Sequence, residues 1–217
     1  MIARQGPGAR LGGGEPGHGW EQVQPLDSQL RFLLEADRLK GVLRQSQIID
    51  GSRRENSAEH SWHLALMSLV LGEYAPAGTD LGRVTAMTVV HDLVEIDAGD
   101  LFVYAGEQAQ ARQEEAERAA ADRLFALLPA GQAASFRALW DEFEERRTPE
   151  AKFARALDRL QPMLANYQLG GGTWAQHGVT ADQVLTKVAL IEDGSAALGA
   201  FARELVSAAV SQGFLAG

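Results

Sequence analysis

The sequence predicts an all-α fold, on three observations. From Leu26 onward apolar residues recur at i, i+3 and i+4, the spacing of one helical face. No stretch alternates with period two for long enough to make a strand. The periodic segments are separated by Pro, Gly and Ser/Thr/Asn/Asp signals of the kind that start and stop helices, and no internal repeat is visible.

In chain order, residues 1–24 are rich in Gly and Pro and include Gly12-Gly13-Gly14, so they are expected to form a disordered tail holding His18. The bundle is expected to occupy residues 25–217. Its first helix is predicted from the stripe Leu30, Leu33, Leu34, Leu39 and Leu43, with Asp27 or Ser28 as N-cap. Residues 45–56 are polar, contain Gly51, and read as a loop bearing Arg53 and Arg54 just after Arg44. A second helix opens at Ser57, capped by Asn56 or Ser57, and carries His60 and His63 through Leu64, Met67 and Leu71. After a turn at 74–80, a third helix is predicted over 81–96. Charged helices follow over 107–128, ended by Pro129, and over 132–147, ended by Thr148-Pro149. The next helix, about 150–168, contains Asp158. Gly170-Gly171-Gly172 reads as a flexible break, and two final helices are expected over 180–191 and 195–210. Trp174 and His177, beyond the glycines, read as surface-loop residues.

Composition limits the function. The 217 residues suffice for one helical domain with a substantial core, and 46% of them are hydrophobic. A formal charge of −9 argues against long nucleic acids, which demand a basic surface, but leaves room for a small phosphorylated ligand. Without cysteine there is no disulfide and no thiolate chemistry, compatible with the cytoplasmic setting we expect. No run approaches the roughly 20 apolar residues of a membrane span, so no membrane association is expected.

The chemistry concentrates in Val89-Val90-His91-Asp92-Leu93-Val94-Glu95, followed by Gly99-Asp100. His91 and Glu95 are four apart and Asp92 and Glu95 three apart, so the carboxylate shares a helix face with both. Ionisable groups on a segment that starts as buried helix are costly unless something binds them, and a divalent cation is the natural partner. His60, at the start of a helix with a very polar approach (Glu55-Asn56-Ser57-Ala58-Glu59), and Asp158, near the apolar face of its own helix, are further candidate ligands. Read alone, Asp158 is better explained as a salt-bridge partner of Arg155 or Arg159, and His63 as a packed or surface histidine.

Taken in order, His60, His91-Asp92 and Asp158 resemble the His … His-Asp … Asp ligand set of the HD-domain metal-dependent phosphohydrolases. The surroundings are most similar to the 5′-deoxynucleotidase branch: Arg53 with Glu55-Asn56 before Ser57-Ala58-Glu59-His60-Ser61, then His91-Asp92-Leu93-Val94-Glu95, Gly99-Asp100-Leu101, and Ala156-Leu157-Asp158-Arg159-Leu160. The resemblance spans about residues 26–167. It implies an HD-domain helical bundle with a single metal site between helices, filled by one divalent ion (Mn, Co, Ni, Fe or Zn). The implied reaction is release of the 5′-phosphate from a deoxyribonucleoside monophosphate. Glu95 would orient water or carry a proton, Asp100 would support catalysis or bind the sugar, and Arg44 and Arg53, with Arg54 next, would bind phosphate. A tryptophan that often follows the family's arginine and helps exclude ribose is replaced here by Gln45. No histidine lies between Asp92 and Asp158, which favours one metal over two. Relatives of this kind are commonly dimers, so a homodimer is a further expectation. Two other readings stay open at this point: an HD hydrolase of a ribonucleotide or guanosine polyphosphate, and a catalytically silent nucleotide-binding module.

Overall fold

A computed structural model describes residues 25–217; the expected tail and His18 lie outside the described residues. The chain folds as a helical bundle: α1 (Leu26–Ala36), α2 (Ser57–Val70), α3 (Leu81–Val90), α4 (Glu95–Ala98), α5 (Glu107–Phe125), α6 (Ala130–Glu145), α7 (Pro149–Gln168), α8 (Gly172–His177), α9 (Ala181–Gly194) and α10 (Ala196–Ser211). The all-α expectation holds, with one small addition. Residues 43–56, expected to be loop, include an antiparallel pair, β1 (Leu43–Gln47) and β2 (Arg54–Asn56). Polar residues suffice there because the pairing is carried by backbone bonds and the turn by Gly51, whose φ is 72°.

Side-chain caps set half of the helix starts. The Asn56 side chain accepts from Glu59 N while Glu59 returns to the Asn56 backbone, a full capping box. Thr148 caps α7 with Pro149 at its first position, and Thr180 and Ser195 cap α9 and α10. α1 differs from expectation. It begins at Leu26 with Pro25 at the cap position, and Asp27 is instead buried against Arg31. The predicted stripe also splits: Leu39, on a 3₁₀ turn after α1, enters the core, whereas Leu33, Leu34 and Leu43 are exposed, and the core residue of α1 is Phe32, outside the stripe.

The long helix α7 lies at the centre, packed against α2, α3, α6, α9 and α10. Its buried side includes Phe153, Leu157 and Leu160, which join Leu64, Met87, Val184 and Ile191 in the larger core cluster. A second cluster gathers Phe32, Val90, Leu124, Phe125 and Trp140 under α1, α5 and α6. The functional segments run along these cores rather than over an exposed face.

Two departures from the sequence reading shape the site. The helix predicted over 81–96 ends at Val90, and residues His91–Val94 continue as a 3₁₀ turn before α4. In a 3₁₀ turn residues three apart eclipse, which favours the Asp92–Glu95 relationship over His91–Glu95. The Gly170-Gly171-Gly172 run is a tight turn, not a flexible break. All three have positive φ, and a side chain at Gly171 would meet the Phe214 carbonyl, one at Gly172 the Asn166 side chain. The turn folds Trp174 inward, where it is 1% exposed, so its expected place in a surface loop is corrected; His177 does stay exposed, stacked on Phe102.

Candidate metal centre and active site

Three elements bring together side chains that are far apart in sequence. His60, in the first turn of α2, is completely buried. His91 and Asp92 follow directly on α3, and Asp158 projects from the middle of α7. His60, His91 and Asp158 each present a ligand atom within 4.8 Å of the other two. Asp92 borders this group, its Oδ1 lying 2.9 Å from His91 Nε2.

The chain fixes how each ring faces. His91 Nδ1 lies 2.9 Å from the Thr88 carbonyl and can only donate to it, leaving Nε2 as the inward nitrogen. His60 Nδ1 lies 3.1 Å from Gln161 Oε1, and Gln161 Nε2 donates in turn to Glu55 Oε1. His60 Nε2 is thus turned towards Asp158 Oδ1, 3.1 Å away. Asp158 is flanked by Arg155 Nη1 at 3.3 Å and Arg159 Nε at 3.6 Å. Pro162, four residues after Asp158, has no N–H to give the Asp158 carbonyl, so the ladder of α7 is interrupted at the ligand-bearing turn.

Whether this set fits a divalent cation is decided by His91 Nε2. It is buried and makes no regular hydrogen bond among the described residues, Asp92 Oδ1 standing 2.9 Å away as an ion-pair neighbour. An orphaned buried ring nitrogen carries a desolvation cost that a cation removes. Charge state agrees: burial first, then the nearby Arg44 charge, lower the His60 pKa to about 4, so its ring is neutral. Burial opposes ionisation of Asp92, but His91 and Arg44 outweigh it and hold the carboxyl at about 2. Asp158 is likewise held well below the usual range, burial being outweighed by Arg159, His60 and Arg155. His91 differs: its burial is outweighed by Asp92, which raises its pKa, so a cation at Nε2 would take the place of a proton there. The neutral His60 nitrogen and the ionised carboxylates already have the donor form that suits a first-row divalent ion.

The remaining predicted residues divide cleanly. Glu95 is buried beside the cluster, and the Ser57 hydroxyl donates to its Oε2 at 2.5 Å. Burial first, then the Asp92 charge, raise its carboxyl well above the usual range. Arg44, on β1, is buried with Nη1 3.1 Å from Asp92 Oδ2 and 3.8 Å from Asp100 Oδ1, and Nε 3.6 Å from Glu55 Oε2. Asp100 accepts from the Gln45 N–H at 3.2 Å, and burial raises its carboxyl. Arg53 is not brought to the site. Its guanidinium makes a bidentate pair with Glu59 on the surface, and the substrate-binding expectation for it is dropped. Arg54 is spent on the Leu43 and Arg44 carbonyls.

Arg44, His91, Asp92, Glu95, Asp100 and Asp158 line a cavity of about 240 Å³, with Phe102, Tyr104 and Trp174 also in its wall. Sequence reasoning missed Gln161, Ser57 and Thr88 as orienting residues, and Arg155, Arg159 and Lys187 as cavity cations.

The HD domain family model matches residues 36–198. The chain belongs to the HD-domain family. This HD domain is 26% identical over 144 residues to the 5′-deoxynucleotidase HDDC2 of Danio rerio, covering 66% of this chain and 70% of that protein. It is 31% identical over 138 residues to the Xenopus laevis protein of the same name, covering 63% and 67%. The crystal structure of a predicted metal-dependent phosphohydrolase from Magnetospirillum magnetotacticum MS-1 is 53% identical and superposes with a TM-score of 0.85, the match covering 88% of this chain and 96% of that one. The chain is thus a metal-dependent HD phosphohydrolase, of a family that acts on small phosphorylated substrates. Among the described residues no helix is long and apolar enough to cross a membrane.

Proposed function

We propose that this HD phosphohydrolase removes the 5′-phosphate from deoxyribonucleoside monophosphates, using one divalent cation held by His60, His91, Asp92 and Asp158. The observation that carries the reading is the orphaned, inward-facing Nε2 of His91, within 4.8 Å of ligand atoms from His60 and Asp158. The names of the relatives support the deoxynucleotide substrate.

A cation bound there supplies Lewis acidity, lowering the pKa of a water and polarising a phosphoryl oxygen. The chain's own residues do the rest. Ser57 pins Glu95 through Oε2, so that the carboxylate has one fixed orientation from which to take a proton off the attacking water. The water oxygen bonds to phosphorus, the bond to the 5′ oxygen breaks, and that oxygen leaves as the nucleoside alcohol with the proton that Glu95 took from the water, which returns Glu95 to its starting form. Arg44 neutralises charge gathered by the phosphoryl oxygens, itself held in place by Asp92, Asp100 and Glu55. Asp100, steadied by Gln45 N–H, receives a sugar hydroxyl. Phe102, Tyr104 and Trp174 offer the base an apolar wall. The test is a phosphate-release screen across deoxy- and ribonucleoside monophosphates with Mn, Co, Ni, Fe and Zn supplied in turn. Release from the deoxy substrates supports the reading, and release confined to ribonucleotides refutes it.

A further inference from the structure

Besides the acidic side chains of the metal corner, the cavity is lined by Glu114, Glu117 and Glu144 and by several cations, not all of which these carboxylates pair. Arg44 meets three carboxylates, and Arg155 is committed to Glu144 at 2.9 Å and Asp158 at 3.3 Å. Two cations lining the same cavity are less fully paired. The Arg159 guanidinium makes no hydrogen bond among the described residues, its one carboxylate neighbour is Asp158 at 3.6 Å, and its Nε is orphaned and buried. Asp158 is already shared by His60 and Arg155. Lys187, from α9, has no carboxylate within ion-pair distance among the described residues; its ammonium lies 5.9 Å over the Tyr104 ring. Burial, then Arg159, Arg146 and Arg155, push its pKa down, so the charges that bear on it are positive. Arg146, at the rim in a left-handed conformation with φ 57°, shares Glu144 with Arg155. Like charges held together in a partly desolvated wall are unfavourable without an anion between them.

We propose that Arg159 and Lys187, with Arg146 at the rim, form a second anion subsite in this cavity, so that the chain binds ligands carrying two phosphate groups more tightly than monophosphates. The proposal rests on the phosphohydrolase reading for the first of the two phosphates. The second is gripped by side chains of α7 and α9 that the proposed reaction does not use. Arg159 donates through a planar fork suited to phosphate oxygens, and Lys187 adds a compact charge.

The test is binding, read by calorimetry on the full chain, both chelator-treated and metal-loaded. The probes are deoxyadenosine 5′-monophosphate, the 3′,5′-bisphosphate and the 5′-diphosphate. At least one doubly phosphorylated probe is expected to bind about tenfold tighter than the monophosphate, as one added hydrogen bond to a charged group would give. The gap should close in Lys187→Gln and return in Lys187→Arg, whose melting temperatures report that both fold. Equal affinity for all three probes overturns the subsite, as does a gap that survives in both Lys187→Gln and Arg159→Gln. Turnover is read separately. A gap without phosphate release from any ester refutes the hydrolytic reading and leaves the subsite standing, whereas release without a gap refutes the subsite alone.

Discussion

The Ser57 hydroxyl donates to Glu95 Oε2 at 2.5 Å, tying the first residue of α2 to the first residue of α4 beside the metal corner. This bond holds Glu95 without making it a metal ligand, since the three clustered ligand atoms come from His60, His91 and Asp158. Glu95→Ala is therefore expected to keep its metal and lose about 10²–10⁴-fold in kcat, the usual contribution of a general base. Ser57→Ala should lower kcat less. Metal analysis alongside steady-state kinetics checks both, and wild-type turnover in Glu95→Ala contradicts the assignment.

Asp92→Ala should abolish activity while circular dichroism still shows a helical protein. The side chain lies at the edge of the cluster, and the α3 packing through Val84 and Met87 does not involve it. Loss of helical signal with loss of activity would mean that Asp92 is structural.

Arg44 has two jobs in this fold. Because it offsets Glu55, Asp92 and Asp100 in a buried setting, Arg44→Ala leaves carboxylates uncompensated, at a cost of about 3–5 kcal/mol. The variant should show a lower melting temperature and, where still folded, a raised KM. A raised KM with unchanged stability would make Arg44 a substrate contact only. Arg53→Ala is the contrast: its solvent-exposed pair with Glu59 contributes little to stability, and kcat/KM should not change.

Much of this site was legible in the sequence because its ligands sit at helix-scale positions. His60 follows a capping box, His91-Asp92 follows an apolar run, and Asp158 lies among alanines and leucines. What escaped depends on contacts between distant segments. Arg53 and Arg44 look alike in a polar stretch, yet strand pairing buries Arg44 and sends Arg53 to Glu59. Trp174 follows three glycines that read as flexible, and only the clash a side chain would make with Phe214 or Asn166 reveals a rigid turn. The partners of the histidines, Gln161 and the Thr88 carbonyl, carry no motif at all.

Glu117, on the cavity wall, gives a pH prediction outside the ligand set. Burial, with Glu144 and Asp92 nearby, raises its carboxyl to about 7 from 4.5. The folded chain therefore holds this proton more tightly than the unfolded chain, so the stability it contributes is full below pH 4.5 and is lost as pH rises through 7. On metal-free protein, Glu117→Gln should remove that decline, gaining melting temperature relative to the parent between about pH 5 and 8. Parallel melting curves across this range would show that Glu117 does not titrate this way.

The central claim is that His60, His91, Asp92 and Asp158 hold one functional cation. Its most direct test is metal stoichiometry on chelator-stripped and reconstituted protein, measured with phosphate release in the same samples. One equivalent per chain that restores activity, with binding lost in His60→Ala and Asp158→Ala, is the predicted result. Full activity in stripped protein, or undiminished binding in both variants, would contradict it.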